Sequence, residues 1–230
     1  MDALRVILAW TAFAVFHSLT VSEGYENLAR RWMGDRAFDG CHRLFFTAYS
    51  IAVFLLLVLY LRTVPDRSLY RLEGFGRLLF HAVQLCGVAF LFWTPWDLLE
   101  FVGFRQWERS RKGEPQEPVR NERLFTQKAY GIVRHPLYLG ISVVLAFQPV
   151  QTRNSLLSTA MVVLYLYVGT FFEERRMVRK FGEEYRSYQR RVPRFLPLPR
   201  PPNPASIPGY RIPEGKNRKD EGSRDGKTGT

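Results

Sequence analysis

Two charged clusters in this chain have residue types and spacing suited to chemistry, and both sit against apolar sequence. The first is Arg134-His135-Pro136, within Gly131-Ile132-Val133-Arg134-His135-Pro136-Leu137-Tyr138-Leu139-Gly140; the second is Glu173-Glu174, followed by Arg175-Arg176. Charged groups beside lipid are costly and mark function by default. Pro136 suits the first position of a helix, where its missing N–H costs nothing. Arg134 and His135 would then stand before orphan N–H groups, where a cation opposes the helix dipole. Donors at a helix N-terminus make a site for an anionic ligand group; the plainer alternative is a basic anchor at the membrane interface. Glu173-Glu174 closes a predicted apolar helix with two carboxylates, again against the dipole. They would accept from ribose hydroxyls or an amino group of a cofactor, or else form a solvated cluster with Arg176, Arg179 and Lys180 at i,i+3 and i,i+4 spacing.

Further polar candidates flank other apolar runs. His17 ends the first, Glu100 and Arg105-Gln106 follow the third, and Tyr138 lies just inside the fourth. Any of His17, Glu100 and Arg105 could act on a substrate, as base or as positioning cation, or simply satisfy a span end. His81 and His42 read as structural or interfacial. Cys41 and Cys86 lie at or inside apolar runs with neither metal spacing nor a disulfide framework, so they read as small packing residues. The chain has no GxGxxG, no GxxxxGK[ST] and no GxSxG, which argues against a Rossmann cofactor site, a P-loop and a serine hydrolase.

These residues must be positioned by membrane-crossing elements. Apolar residues make up 47% of the 230 and the formal charge is +12, yet mean hydropathy is only −0.16 because long apolar runs alternate with basic connectors. Such connectors between spans anchor to anionic lipid, so the basic charge argues for a bilayer and not for nucleic acid. Predicted spans cover 3–19, 44–61, 78–93, the short run 137–150, and 156–172. The first has a polar end without a small-x-small cleavage site and reads as a span, not a signal peptide. Residues 26–33 form a surface helix ended by Gly34. Residues 63–76 are a connector, 109–121 an exposed polar run, and Pro149 to Asn154 a tight turn. Trp93 and Trp96 form an interfacial belt. An amphipathic stretch follows Glu173 to about Arg191, and 198–230 is a Pro-rich, then charged tail with a disordered composition. The fold class is therefore all-α: a polytopic integral membrane helical bundle of about five transmembrane helices with a C-terminal cytoplasmic amphipathic helix.

The basic loops 21–40 and 97–128 and the basic C-terminal region fall on one side of a five-span chain. The positive-inside rule places that side in the cytoplasm and the N-terminus outside, as in a bacterial inner membrane. His17, Glu100, Arg105, Arg134, His135, Tyr138, Glu173 and Glu174 all then converge on the cytoplasmic face, where a pocket is the default expectation.

The combined pattern resembles a known superfamily. G-x-x-R-H-P-x-Y-x-G from Gly131, an apolar hairpin, Glu173-Glu174, then Phe181-Gly182-x-x-Tyr185-x-x-Tyr188 and Val192-Pro193-Arg194 with Pro197 is similar to the membrane methyltransferases related to isoprenylcysteine carboxyl methyltransferase and phospholipid methyltransferases. Phe16-His17-Ser18-Leu19 and the stretch from Asp97 to Gln106 look like the NnrU and methanethiol S-methyltransferase branch. The resemblance implies S-adenosylmethionine held by Arg134, His135, Pro136, Tyr138, Gly140, Glu173 and Glu174, with Tyr185 in the segment that covers it. It divides the chain into N-terminal helices and loops (1–129), a cofactor-binding core (130–197) and a tail (198–230). The implied acceptor is a small thiol or a lipophilic group, either a prenylcysteine carboxylate or a phospholipid amine. Membrane sterol reductases carry a similar R-H-P-x-Y-x-G with a reduced nicotinamide cofactor; Glu173-Glu174 and the V-P-R ending look more like the methyltransferases. A non-enzymatic membrane accessory role is the remaining alternative.

Overall fold

The computed structural model describes residues 1–95, 97–114 and 124–198. Trp96 of the expected belt, the end of the polar run 109–121 and the tail from 199 onward lie outside the described residues. Met1–Pro197 forms one compact unit.

Helices dominate it. In chain order they are α1 (Asp2–Leu19), α2 (Glu23–Met33), α3 (Asp35–Leu61), α4 (Gly74–Trp93), α5 (Leu98–Phe101), α6 (Phe104–Lys112), α7 (Pro136–Ala146), α8 (Arg153–Phe181) and α9 (Glu183–Arg191). Of these, α1, α3, α4 and α8 are long and apolar enough to cross a membrane. Their outer faces carry bare apolar side chains: Leu56 is 66% exposed, Leu85 68% and Phe92 80%. In water such surface would be costly, so these faces suit lipid.

The fifth apolar segment, α7, has 11 residues. At 1.5 Å per residue it covers only about 16 Å, half of a bilayer core of about 30 Å. Non-helical residues 147–149 then carry the chain on to a strand. This strand, β2 (Val150–Thr152), pairs antiparallel with β1 (Ser68–Arg71), so the α3–α4 and α7–α8 connectors meet at one end of the bundle. The expected tight turn at Pro149 to Asn154 is thus corrected to a short strand, and the connector 63–76 carries its partner β1. Backbone pairing satisfies N–H and C=O groups that would otherwise be orphaned at the membrane boundary.

The same end is tied by side chains. Asn154 Nδ2 donates to Val64 O and Pro65 O at 3.2 Å, its N–H donates to Asp66 at 2.9 Å, and Arg153 Nη2 donates to Pro65 O at 3.0 Å. Inside the bundle, Val6 and Trp10 of α1 pack with Leu57 of α3 and with Leu157 and Met161 of α8. Trp10 Nε1 donates to Ser158 Oγ at 2.9 Å.

At the opposite, basic end, Ser22 caps α2 by accepting from the Tyr25 N–H at 3.2 Å, and Gly34 ends it at φ 79°. Helix α6 lies across the first turns of α3. Gly103, at φ +88°, makes this approach possible: a Cβ there would stand 2.5 Å from the Leu44 backbone nitrogen.

Candidate active site at the basic end

Helix α8 does not stop at Glu173-Glu174 but runs 29 residues to Phe181. The two carboxylates are therefore interior helix residues, not terminal ones, and their partners are distant in sequence. The expected local pairing with Arg176, Arg179 and Lys180 gives way to a cluster built from three segments.

Glu174, only 3% exposed, is its hub. Its Oε1 accepts from Arg134 Nε at 2.7 Å, from Arg134 Nη2 at 2.7 Å and faces His135 Nε2 at 3.2 Å. Its Oε2 accepts from Gln189 Nε2 at 2.8 Å and Arg194 Nη2 at 3.1 Å. A carboxylate offers about four acceptor positions, so Glu174 is saturated by the protein itself. Arg134 spends its remaining donors on backbone: Nη1 reaches Gln189 O at 2.9 Å and Val192 O at 2.6 Å. Main-chain bonds lock the same junction, from Arg134 N–H to Pro193 O at 2.9 Å and from His135 N–H to Arg194 O at 3.1 Å.

The V-P-R segment is thus stitched beside the start of α7. Helix α9 seals it from above: Tyr185 and Tyr188, each 3% exposed, pack with Val192 against Met177, Val178 and Phe181. Tyr188 Oη donates to Tyr130 O at 2.6 Å. Burial, with Glu174 nearby, pushes the Tyr185 phenol well above its ordinary range, so it stays neutral. Tyr185 therefore lies in the core of the cover.

Glu173 differs from its neighbour. Its Oε2 faces His135 Nδ1 at 3.4 Å, and 33% of its side chain stays exposed. Tyr138 lies beside it, stacked on the His135 ring at 5.5 Å and 11°. His135 has one carboxylate on each ring nitrogen, an arrangement that suits the imidazolium, which donates from both. Burial opposes that charge, but Glu173 and Glu174 outweigh it and raise the His135 pKa above its ordinary 6.5.

A raised folded pKa stabilises the fold fully below the unfolded value, and this contribution is lost as pH rises through the folded value. Thermal midpoints measured in detergent from about pH 6 to about pH 9 should fall for the wild type. His135→Gln should lack that component; an identical slope in the variant would refute the assignment.

A model of the NnrU protein family matches residues 5–195. The chain belongs to the NnrU family. Relatives of this NnrU-family chain include methanethiol S-methyltransferase 2 of Bradyrhizobium diazoefficiens, 28% identical over 193 residues (83% of this chain, 71% of the relative). The methanethiol S-methyltransferase of Mycobacterium tuberculosis is 28% identical over 197 residues (81% and 75%). That of Pseudomonas deceptionensis is 29% identical over 201 residues (83% and 71%). No solved structure matches.

The NnrU-family chain brings Arg134, His135, Pro136, Tyr138, Glu173 and Glu174 together, with Pro136 opening α7 as expected. Gly140 faces elsewhere. It packs on α4, where an added Cβ would stand 2.5 Å from Leu91 Cδ2 and 3.1 Å from Gly87 O. Gly140→Val should therefore overpack the α4–α7 contact and cost about 1–3 kcal/mol, read as a lower unfolding midpoint; unchanged stability would contradict this packing.

Glu100 and Arg105 belong to the α5–α6 surface: Glu100 accepts from Gln106 at 2.8 Å and Arg109 at 2.9 Å, and Arg105 pairs with Asp97 at 2.7 Å. No contact among the described residues joins them to His135 or Glu173. Two residues missing from the expected site are Arg194 and Gln189. Arg194 was legible in the V-P-R motif; Gln189 had no signal beyond its place in an amphipathic helix.

A cofactor with hydroxyl, ammonium and carboxylate groups finds suitable partners here. Glu173 has acceptor capacity and exposure, Tyr138 offers a ring, and the Leu137 and Tyr138 N–H groups are orphan donors of the first α7 turn.

Proposed function

We propose that this protein is an integral membrane methyltransferase that uses S-adenosylmethionine and acts on a small thiol. The observation that carries the reading is the one-third-exposed Glu173 beside a locked Arg134–Glu174–Arg194 junction, in a chain related to proteins named methanethiol S-methyltransferases. The basic loops support a cytoplasmic position for this end, with the N-terminus outside. S-adenosylmethionine, when bound, supplies an electrophilic methyl group on a sulfonium.

The chain's residues supply orientation and exclusion of water. Glu173 accepts from the cofactor's hydroxyl or ammonium groups, and Tyr138 offers its ring. The first-turn N–H groups of α7 receive the cofactor's carboxylate. Glu174 contacts none of these; it holds Arg134, His135 and the V-P-R strand in place, so the cofactor meets a preformed wall.

The test is calorimetry of purified protein with S-adenosylmethionine, followed by headspace detection of dimethyl sulfide from methanethiol. Saturable binding and volatile product support the reading. Absence of binding at millimolar S-adenosylmethionine would sink it, and transfer of label only to lipid would sink the small-thiol acceptor.

A further inference from the structure

We infer that His17 is the base of the thiol acceptor site and that Phe13, Phe46 and Tyr165 form its apolar walls. This rests on the methyltransferase reading above and adds to it the acceptor's location and class.

His17 stands on the last turn of α1 amid three aromatic rings from three helices. Phe13 stacks on it at 5.5 Å and 18°, Phe46 of α3 lies tilted at 5.0 Å, and Tyr165 of α8 meets it edge-on at 6.0 Å. Its Nδ1 lies 3.2 Å from Ser50 Oγ. Its Nε2 has no hydrogen-bond partner among the described residues and is not buried by protein atoms. When Nδ1 carries the proton and donates it to Ser50, Nε2 keeps its lone pair free to accept a proton. No charged side chain touches the ring among the described contacts; Tyr165 is the titratable group facing it, and His42 lies beyond Phe46 at 6.5 Å.

Tyr165 also connects this enclosure to the cofactor side. Its hydroxyl lies 3.2 Å from Ser18 Oγ, and its phenol is within electrostatic range of Tyr138, which in turn faces Glu173. Tyr165 and Glu173 share α8, eight residues and so about 12 Å apart along its axis.

An aromatic box with one neutral imidazole fits a small, uncharged alkanethiol. Among the described residues it has no cation for a carboxylate acceptor and no carboxylate for an amine. The step balances: Nε2 takes the S–H proton, and the thiolate sulfur forms a new bond to the methyl carbon. The old carbon–sulfonium bond breaks in that same in-line displacement, its electron pair returning to the donor sulfur, and the imidazolium later releases its proton to water. The thiolate is the competent nucleophile, so general base assistance of about 10²–10⁴-fold is expected.

Three measurements decide it. His17→Gln should bind S-adenosylmethionine within about twofold of wild type by calorimetry while methanethiol methylation near neutral pH falls by about 100-fold or more. Its rate should climb about tenfold per pH unit toward the thiol's own pKa, where the wild type has levelled off. Independently of activity, dimethyl sulfide added to cofactor-free wild type labelled with ¹⁵N-histidine should shift the His17 resonance and leave those of His42, His81 and His135 in place.

A variant with normal cofactor binding and a wild-type rate and pH profile overturns the proposal. So does a dimethyl sulfide titration that leaves His17 unmoved, even if His17→Gln proves unfolded. Absence of S-adenosylmethionine binding by the wild type overturns the methyltransferase reading itself.

Discussion

Glu174→Ala is expected to be the most destabilising single substitution in the protein. Its removal strands Arg134, whose side chain is 3% exposed, as a buried cation without its counter-charge, and leaves His135, 5% exposed, with one of its two carboxylates. Breaking a buried ion pair by deleting one partner costs about 3–5 kcal/mol. Here the loss also frees Arg194 and Gln189 and with them the V-P-R segment. The unfolding midpoint in detergent should drop by many degrees, and the α9 cover should become sensitive to protease. Arg134→Met combined with Glu174→Met should recover part of the loss, since replacing both charges avoids the stranded one. A Glu174→Ala midpoint close to wild type would show that the cluster does not hold the fold.

The second large effect is on binding, and it falls on the adjacent residue. Glu173→Gln should weaken S-adenosylmethionine at least about tenfold, the scale of one lost charge-assisted hydrogen bond. Its unfolding midpoint should move far less than that of Glu174→Ala, because Glu173 is one-third exposed and has His135 as its only ion-pair partner among the described residues. Calorimetry and thermal unfolding on the same preparations separate the two roles. Equal loss of stability in both variants, or tight binding by Glu173→Gln, would contradict the division of labour between the adjacent carboxylates.

That division was invisible in the linear chain. Glu173 and Glu174 are identical side chains, and local spacing to Arg176, Arg179 and Lys180 suggested a shared surface cluster. One residue along a helix rotates the side chain by about 100°, which turns Glu174 into the junction of α7, α9 and the V-P-R segment and leaves Glu173 at its edge. Gly140 shows a similar limit: it falls inside the motif of the site, yet its missing Cβ serves the contact with Gly87 on α4.

What the amino-acid sequence determined by itself was everything governed by local chemistry. Apolar length marked α1, α3, α4 and α8 as spans. Proline at position 136 fixed the start of α7, and Gly34 fixed the end of α2. The R-H-P and E-E clusters stood out as candidate site residues because charge beside lipid is costly. Tertiary structure alone decided partners. Pairing of β1 with β2 required two connectors about eighty residues apart to meet, and the hydrogen bonds from Arg134 to Gln189 and Val192 span 55 and 58 residues. The box around His17 draws on α1, α3 and α8. Such contacts depend on helix rotation and on which faces the bundle buries, and no short-range pattern encodes either.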